Sequence, residues 1–83
     1  MPMKIEILLF AQLKEAYGSD RLRIEVPDSA KVSDAVGIVL GDARLRSFSD
    51  LPLRYAVNEN FQPAEGPLKE NDRLALLSPV AGG

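Results

Sequence analysis

Apolar and polar positions alternate from the first residues. Met3, Ile5, Ile7 and Leu9 fall on one side of an extended chain, while Lys4 and Glu6 begin the other side and Leu8 and Phe10 end it. This pattern predicts a strand over Lys4–Phe10 that turns apolar on both faces as it enters a buried contact. Leu13, Ala16 and Tyr17 then share a helical face, which predicts a short helix over Ala11–Tyr17 with Gly18 as its C′ residue. Arg21–Val26 alternates cleanly, with Leu22, Ile24 and Val26 on one side and Arg21, Arg23 and Glu25 on the other, and Pro27 ends it. Val32, Ala35, Val36, Val39 and Leu40 are spaced as one stripe of a helix over Val32–Leu40. Ser33 and Asp34 suit its first turn, Gly41 its stop, and Gly37 a close packing point.

The segment from Asp42 to Pro52 is polar and irregular, and reads as a long connection with Leu45, Phe48 and Leu51 as scattered anchors. Arg54–Asn58 reads as a strand, Asn58-Glu59-Asn60 as a turn, and Phe61-Gln62 as the start of a short return strand. Pro63–Pro67 is loop, and Asn71-Asp72 is a turn in which asparagine tolerates a left-handed backbone. Arg73–Leu77 is apolar on both faces, the mark of a central strand. The element order β, short α, β, long α, β, short β, β predicts an α+β domain: a mixed sheet with one main helix packed on one face. A β-grasp sheet of this kind sets its first and last strands side by side.

Composition changes the picture mainly by exclusion. The 83 residues suffice for one domain. Apolar residues at 46% and charged residues at 27% are ordinary for a globular chain, and the net charge of −2 comes with no basic block, so no nucleic-acid surface is suggested. Cysteine and histidine are both absent. That removes a disulfide framework, a cysteine nucleophile, a histidine base and the usual zinc ligands. Ile5–Ala11 is interrupted by Glu6 and too short for a signal core or a membrane span, which leaves the cytoplasm as the expected compartment. There is no glycine-rich phosphate loop and no triad. Carboxylate pairs such as Asp20/Glu25 and Glu70/Asp72 read as solvated surface, Arg54 and Arg73 as solvated strand charges, and Phe61 as a packing residue.

What chemistry remains sits in the last residues. A domain over 1–78 is expected to carry a tail over 79–83, Pro79-Val80-Ala81-Gly82-Gly83. Pro79 cannot donate a ladder hydrogen bond. Two glycines without Cβ atoms can thread a channel too narrow for other residues. The six residues from Ser78 onward span roughly 20 Å when extended, and a terminal carboxylate can be held by a partner's amides or cations. Domains often end in a few small residues, so the pair gains meaning from the strand that leads into it and from the absence of other chemistry.

The run Leu74-Ala-Leu-Leu-Ser-Pro-Val-Ala-Gly-Gly83 resembles the end of the MoaD branch of the MoaD/ThiS sulfur-carrier family, the small subunits of molybdopterin synthase. Phe10-Ala11-Gln12-Leu13, Val57-Asn58-Glu59 and Leu68-Lys69-Glu70-Asn71-Asp72 extend the resemblance along most of the chain. Asn71 stands where the family often has glycine, and Ser78 where a second proline is common, which would loosen the start of the tail.

The resemblance implies a ubiquitin-like β-grasp fold and a carrier that binds no cofactor itself. A ubiquitin-activating-like adenylyltransferase would use ATP to convert Gly83 to an acyl-adenylate. A sulfur donor protein would turn this into a thiocarboxylate. The molybdopterin synthase large subunit, in a heterotetramer of two small and two large subunits, would receive it for dithiolene formation. Gly83 would then be the covalent sulfur carrier, Gly82 would give access, and Pro79, Val80 and Ala81 would line the partner's channel. Phe10 and Leu77 are candidate anchors on the large subunit, with core burial the competing reading. No active site, metal, nucleic acid or membrane is implied for this chain. A carrier for thiamine or tRNA thiolation, and a ubiquitin-like modifier or interaction module, remain as alternatives.

Overall fold

The computed structural model describes residues 1–78. Five strands form one mixed sheet. In chain order the elements are β1 (Met3–Leu9), α1 (Ala11–Tyr17), β2 (Arg21–Val26), α2 (Val32–Leu40), a 3-10 helix (Arg46–Asp50), β3 (Arg54–Val57), β4 (Asn60–Gln62) and β5 (Arg73–Leu77). Their order across the sheet is β2-β1-β5-β3-β4. β1 and β5 run parallel at the centre, with Ile7 beside Leu74 and Leu9 beside Leu76. All other neighbours are antiparallel. The first and last strands therefore lie side by side, as expected of a β-grasp.

The alternation decides which face is covered. Ile5, Ile7 and Leu9 of β1, and Leu74 and Leu76 of β5, are fully buried against Val32, Ala35, Val36 and Val39 of α2, with Leu13 of α1 and Leu45 completing the core. α2 starts where the Asp34 carboxylate accepts the Lys31 N–H at 2.8 Å. Its next free N–H groups, those of Val32 and Ser33, donate to the carbonyls of Gly66 and Ala64 at 2.9 Å, so the 63–67 loop acts as its N-terminal cap. α1 stops at Gly18, whose φ of 94° is left-handed and whose N–H reaches the Lys14 carbonyl.

Several expectations need correction. The 42–52 connection carries the 3-10 helix, with Leu45 buried, Phe48 partly buried and Leu51 exposed. Gly41 ends α2 as expected, in the right-handed region, but a Cβ on Gly37 would meet open space, so Gly37 is no packing point. Asp72 is buried rather than solvated. Its carboxylate accepts the Lys69 N–H at 2.7 Å and the Asn58 side-chain amide at 2.9 Å. Phe61 is exposed rather than packed. No helix of the described residues is long and apolar enough to cross a membrane.

Candidate functional site

The sheet face opposite α2 has no element across it among the described residues, and its composition changes along the strands. At one end it is charged. Glu6 lies between the guanidinium groups of Arg21 and Arg73, each 3.6 Å from a carboxylate oxygen. Toward the C-terminal end of β5 it becomes apolar. The register aligns Leu8, Ala75, Ala56 and Phe61 in one row across β1, β5, β3 and β4. In the next row Leu77 lies opposite Arg54.

Small and large side chains in these rows make a groove of about 390 Å³. Ala56 and Ala75 form its floor, while Leu8, Phe10 and Leu77 form its apolar wall. Asn58, Glu59 and Arg73 close the polar end. Phe10 is 47% exposed and Leu77 half-buried, so of the two readings weighed for these residues, Phe10 is surface, and Leu77 lines the same groove. Ala11, immediately after Phe10, has a φ of 50°. That left-handed step in a residue with a Cβ reverses the chain into α1 and leaves the Phe10 ring on the open face.

Arg54 also departs from the expectation of a freely solvated charge. Its guanidinium sits 4.8 Å from the centroid of the Phe61 ring, which fixes a cation beside the groove. Sequence reasoning missed this pair. The signal available was the spacing Arg54…Phe61 around the Asn58-Glu59 turn, which places the two side chains on one face of a hairpin. Arg73, likewise read as solvated, is paired with Glu6.

The groove ends where β5 ends. Ser78 follows directly, and its hydroxyl donates to the Gln12 side-chain oxygen at 3.1 Å. The serine thus ties the exit of β5 to α1. Pro79, Val80, Ala81, Gly82 and Gly83 lie outside the described residues. Among the described residues no group of carboxylates is placed to hold a metal ion. The open face thus presents an apolar groove bordered at one end by polar and charged side chains.

A family model described as the ThiS family matches residues 7–83. The chain belongs to the ThiS family. Its relatives include the molybdopterin synthase sulfur carrier subunit of Haemophilus influenzae, 32% identical over 82 residues that cover 95% of this chain and 99% of the relative. Among solved structures, small archaeal modifier protein 1 of Haloferax volcanii superposes with a TM-score of 0.85 at 29% identity, covering 94% of this chain and 99% of the other. A complex of subunits 1 and 2 of the molybdopterin-converting factor of Helicobacter pylori contains a chain similar in fold, with a TM-score of 0.71 at 23% identity and coverage of 98% and 100%. The β-grasp sheet expected from the element order, in the ubiquitin-like form that the resemblance implies, is thus the fold of this ThiS family chain.

Proposed function

We propose that this chain is the sulfur carrier subunit of a molybdopterin synthase, delivering sulfur as a thiocarboxylate on Gly83. The observation that carries the reading is the match to a sulfur carrier subunit over 95% of this chain, beside a ThiS family match that runs through the Gly82-Gly83 pair. An apolar groove that stops where the tail begins supports it, because a partner seated there would receive the tail directly.

In this reading a ubiquitin-activating-like adenylyltransferase docks the chain and catalyses attack of the Gly83 carboxylate on the α-phosphate of ATP, with pyrophosphate leaving. A carboxylate is a poor electrophile, and the AMP now attached to it is a good leaving group. The outer sulfur of a persulfide donor attacks the Gly83 acyl carbon and displaces AMP, giving an acyl disulfide. A second thiol of the donor protein cleaves the S–S bond, which leaves a disulfide on the donor and a thiocarboxylate on Gly83 that enters the synthase large subunit to sulfurate a cyclic pyranopterin. Two sulfurs per dithiolene require two deliveries. Gly82 keeps the approach narrow, and Pro79, Val80 and Ala81 follow the partner's channel. Phe10 and Leu77 supply apolar anchoring beside it. The chain contributes docking and a carrier group, while ATP binding and catalysis belong to its partners in the cytoplasm.

Intact mass spectrometry tests this. After incubation with adenylyltransferase, ATP and a persulfide donor, the chain should gain the mass difference between one sulfur and one oxygen atom. Competent partners that leave the mass unchanged would refute the reading. A second reading, a ubiquitin-like modifier joined to lysines, is favoured by the likeness to the Haloferax volcanii modifier. It predicts ladders of conjugates in cells that vanish on deletion of Gly83, whereas a dedicated carrier gives none.

A further inference from the structure

Each edge of the sheet is guarded differently. β4 is three residues long and is followed by Pro63, so it offers little to a further strand. β2 is six residues long, with no proline or bulge within it. Its backbone groups alternate in direction. The Asp20 carbonyl accepts the Leu9 N–H, which sets Leu22, Ile24 and Val26 as the residues bonded to β1. Arg21, Arg23 and Glu25 then point their N–H and C=O outward. Those of Arg21 are occupied by the Ser19 hydroxyl, which donates to the Arg21 carbonyl at 3.0 Å and accepts its N–H at 3.4 Å. Those of Arg23 and Glu25 have no partner among the described residues. Neither side chain takes part in an ion pair among the described residues, whereas Arg21 is held by Glu6 and Asp20.

We propose that β2 is a self-association edge, pairing antiparallel with the β2 of a second copy of this chain about a two-fold axis through Ile24. The charges select this register. Two copies related by a two-fold axis perpendicular to the sheet must match like faces, so the axis passes through a residue. Placed at Arg23 it sets Arg23 against Arg23, and at Leu22 it sets Arg21 against Arg23. At Glu25 it opposes two glutamates and places Pro27, which has no N–H, against Arg23. Directly opposed like charges disfavour each of these. At Ile24, Arg23 of each copy faces Glu25 of the other, and these are the two residues with outward backbone groups. Each such pair then exchanges two backbone hydrogen bonds and one charge pair. On the opposite face Ile24 meets Ile24 and Leu22 meets Val26, so the half-exposed Leu22 and Ile24 are covered. Charges on an edge strand ordinarily repel another strand. Here opposite charges two residues apart become attractive once the strand is turned about its middle.

The association goes beyond the carrier reading and does not depend on it. β1 separates β2 from β5, so both grooves and both β5 ends remain accessible in the dimer. One pair of short strands buries less than the ~1,200 Å² of a standard interface, so the dimer forms reversibly at high concentration.

Sedimentation velocity of the full chain from about 10 μM to about 1 mM should show a concentration-dependent shift from monomer to dimer. R23E and E25R should each raise the dimer dissociation constant by at least about tenfold, since symmetry applies each change twice. The double variant R23E/E25R should restore it. An equimolar mixture of R23E and E25R should form a heterodimer more readily than either forms a homodimer. Amide exchange at Arg23 and Glu25 should slow as the concentration rises. A chain that stays monomeric throughout overturns the proposal. So does a dimer indifferent to R23E, or one lost on Phe10→Asp, which would place the contact on the open face.

Discussion

Two carboxylates carry more of this small domain than their number suggests. Asp72 is buried at the start of β5, where it accepts the Lys69 N–H and the Asn58 amide, while Asn58 in turn accepts the Arg73 N–H at 3.0 Å. One acidic side chain thereby holds the β3–β4 turn against the entry to β5. Asp72→Ala leaves an amide and a backbone N–H without acceptors, and chemical denaturation should show a loss of about 1–3 kcal/mol. Asp42 acts at the surface. Arg44 grips it through two side-chain contacts of 2.9 and 3.1 Å, reaches the Tyr17 carbonyl at 2.8 Å and stacks on the Tyr17 ring, clamping the segment after α2 to the end of α1. The hydrogen bonds from the Arg44 side chain and then from its N–H lower the Asp42 pKa from 3.8 to about 2. Because the folded-state value is the lower one, the stabilisation is complete above the unfolded value near 4 and disappears as pH falls toward 2. Asp42→Asn should flatten the fall in melting temperature across that window and leave the slope between pH 6 and 8 unchanged; an unaltered acid limb would show that the clamp contributes nothing.

At the scale of elements, conformational demands at turns decide where the chain reverses. Asn71 has a φ of 68°, and its N–H donates to the Lys4 carbonyl at 2.8 Å, which docks the final turn against β1. Asn71→Ala should cost about 1 kcal/mol from the Cβ clash in the left-handed region, whereas Asn71→Gly should be neutral or slightly stabilising. Equal losses in the two variants, measured by thermal melts, would point to the side chain instead of the backbone. Elements built on periodicity were legible in the sequence: α1, β2, α2 and β5 lie where their apolar spacing puts them, because each buries one continuous stripe. Less legible were features that depend on contacts distant along the chain. The 3-10 helix has too few apolar residues to show a period and takes its shape from burying Leu45. The burial of Asp72 depends on Asn58, 14 residues away. Phe61 reads as core by residue type, yet β4 is an edge strand and its outward face has nothing above it. The candidate surface was half legible. Phe10 and Leu77 could be named from the ends of their strands, but the alanine floor between them follows from cross-strand register alone.

At the scale of the whole molecule the sheet divides its labour by face. One face carries the fold: Ile7, Leu9, Leu74 and Leu76 are buried against α2, and Leu76→Ala would open a cavity at a cost of about 2–5 kcal/mol. In the carrier reading the other carries recognition, where Leu8, Phe10, Ala75 and Leu77 border a groove at the C-terminal end of β5. The alternation of β1 and β5 makes this separation possible, because successive residues serve different faces without sharing contacts. Phe10→Asp tests the division. The ring is half exposed and absent from the core, so the change should alter folding stability by no more than about 0.5 kcal/mol. In the carrier reading, an aspartate at the apolar wall would be desolvated by any partner seated in the groove, and binding to the synthase large subunit should weaken roughly 10- to 100-fold. Titration calorimetry beside thermal melts separates the two faces: a variant that melts like the parent and binds poorly assigns Phe10 to the interface, whereas one that loses stability on the scale of Leu76→Ala makes the open face part of the scaffold.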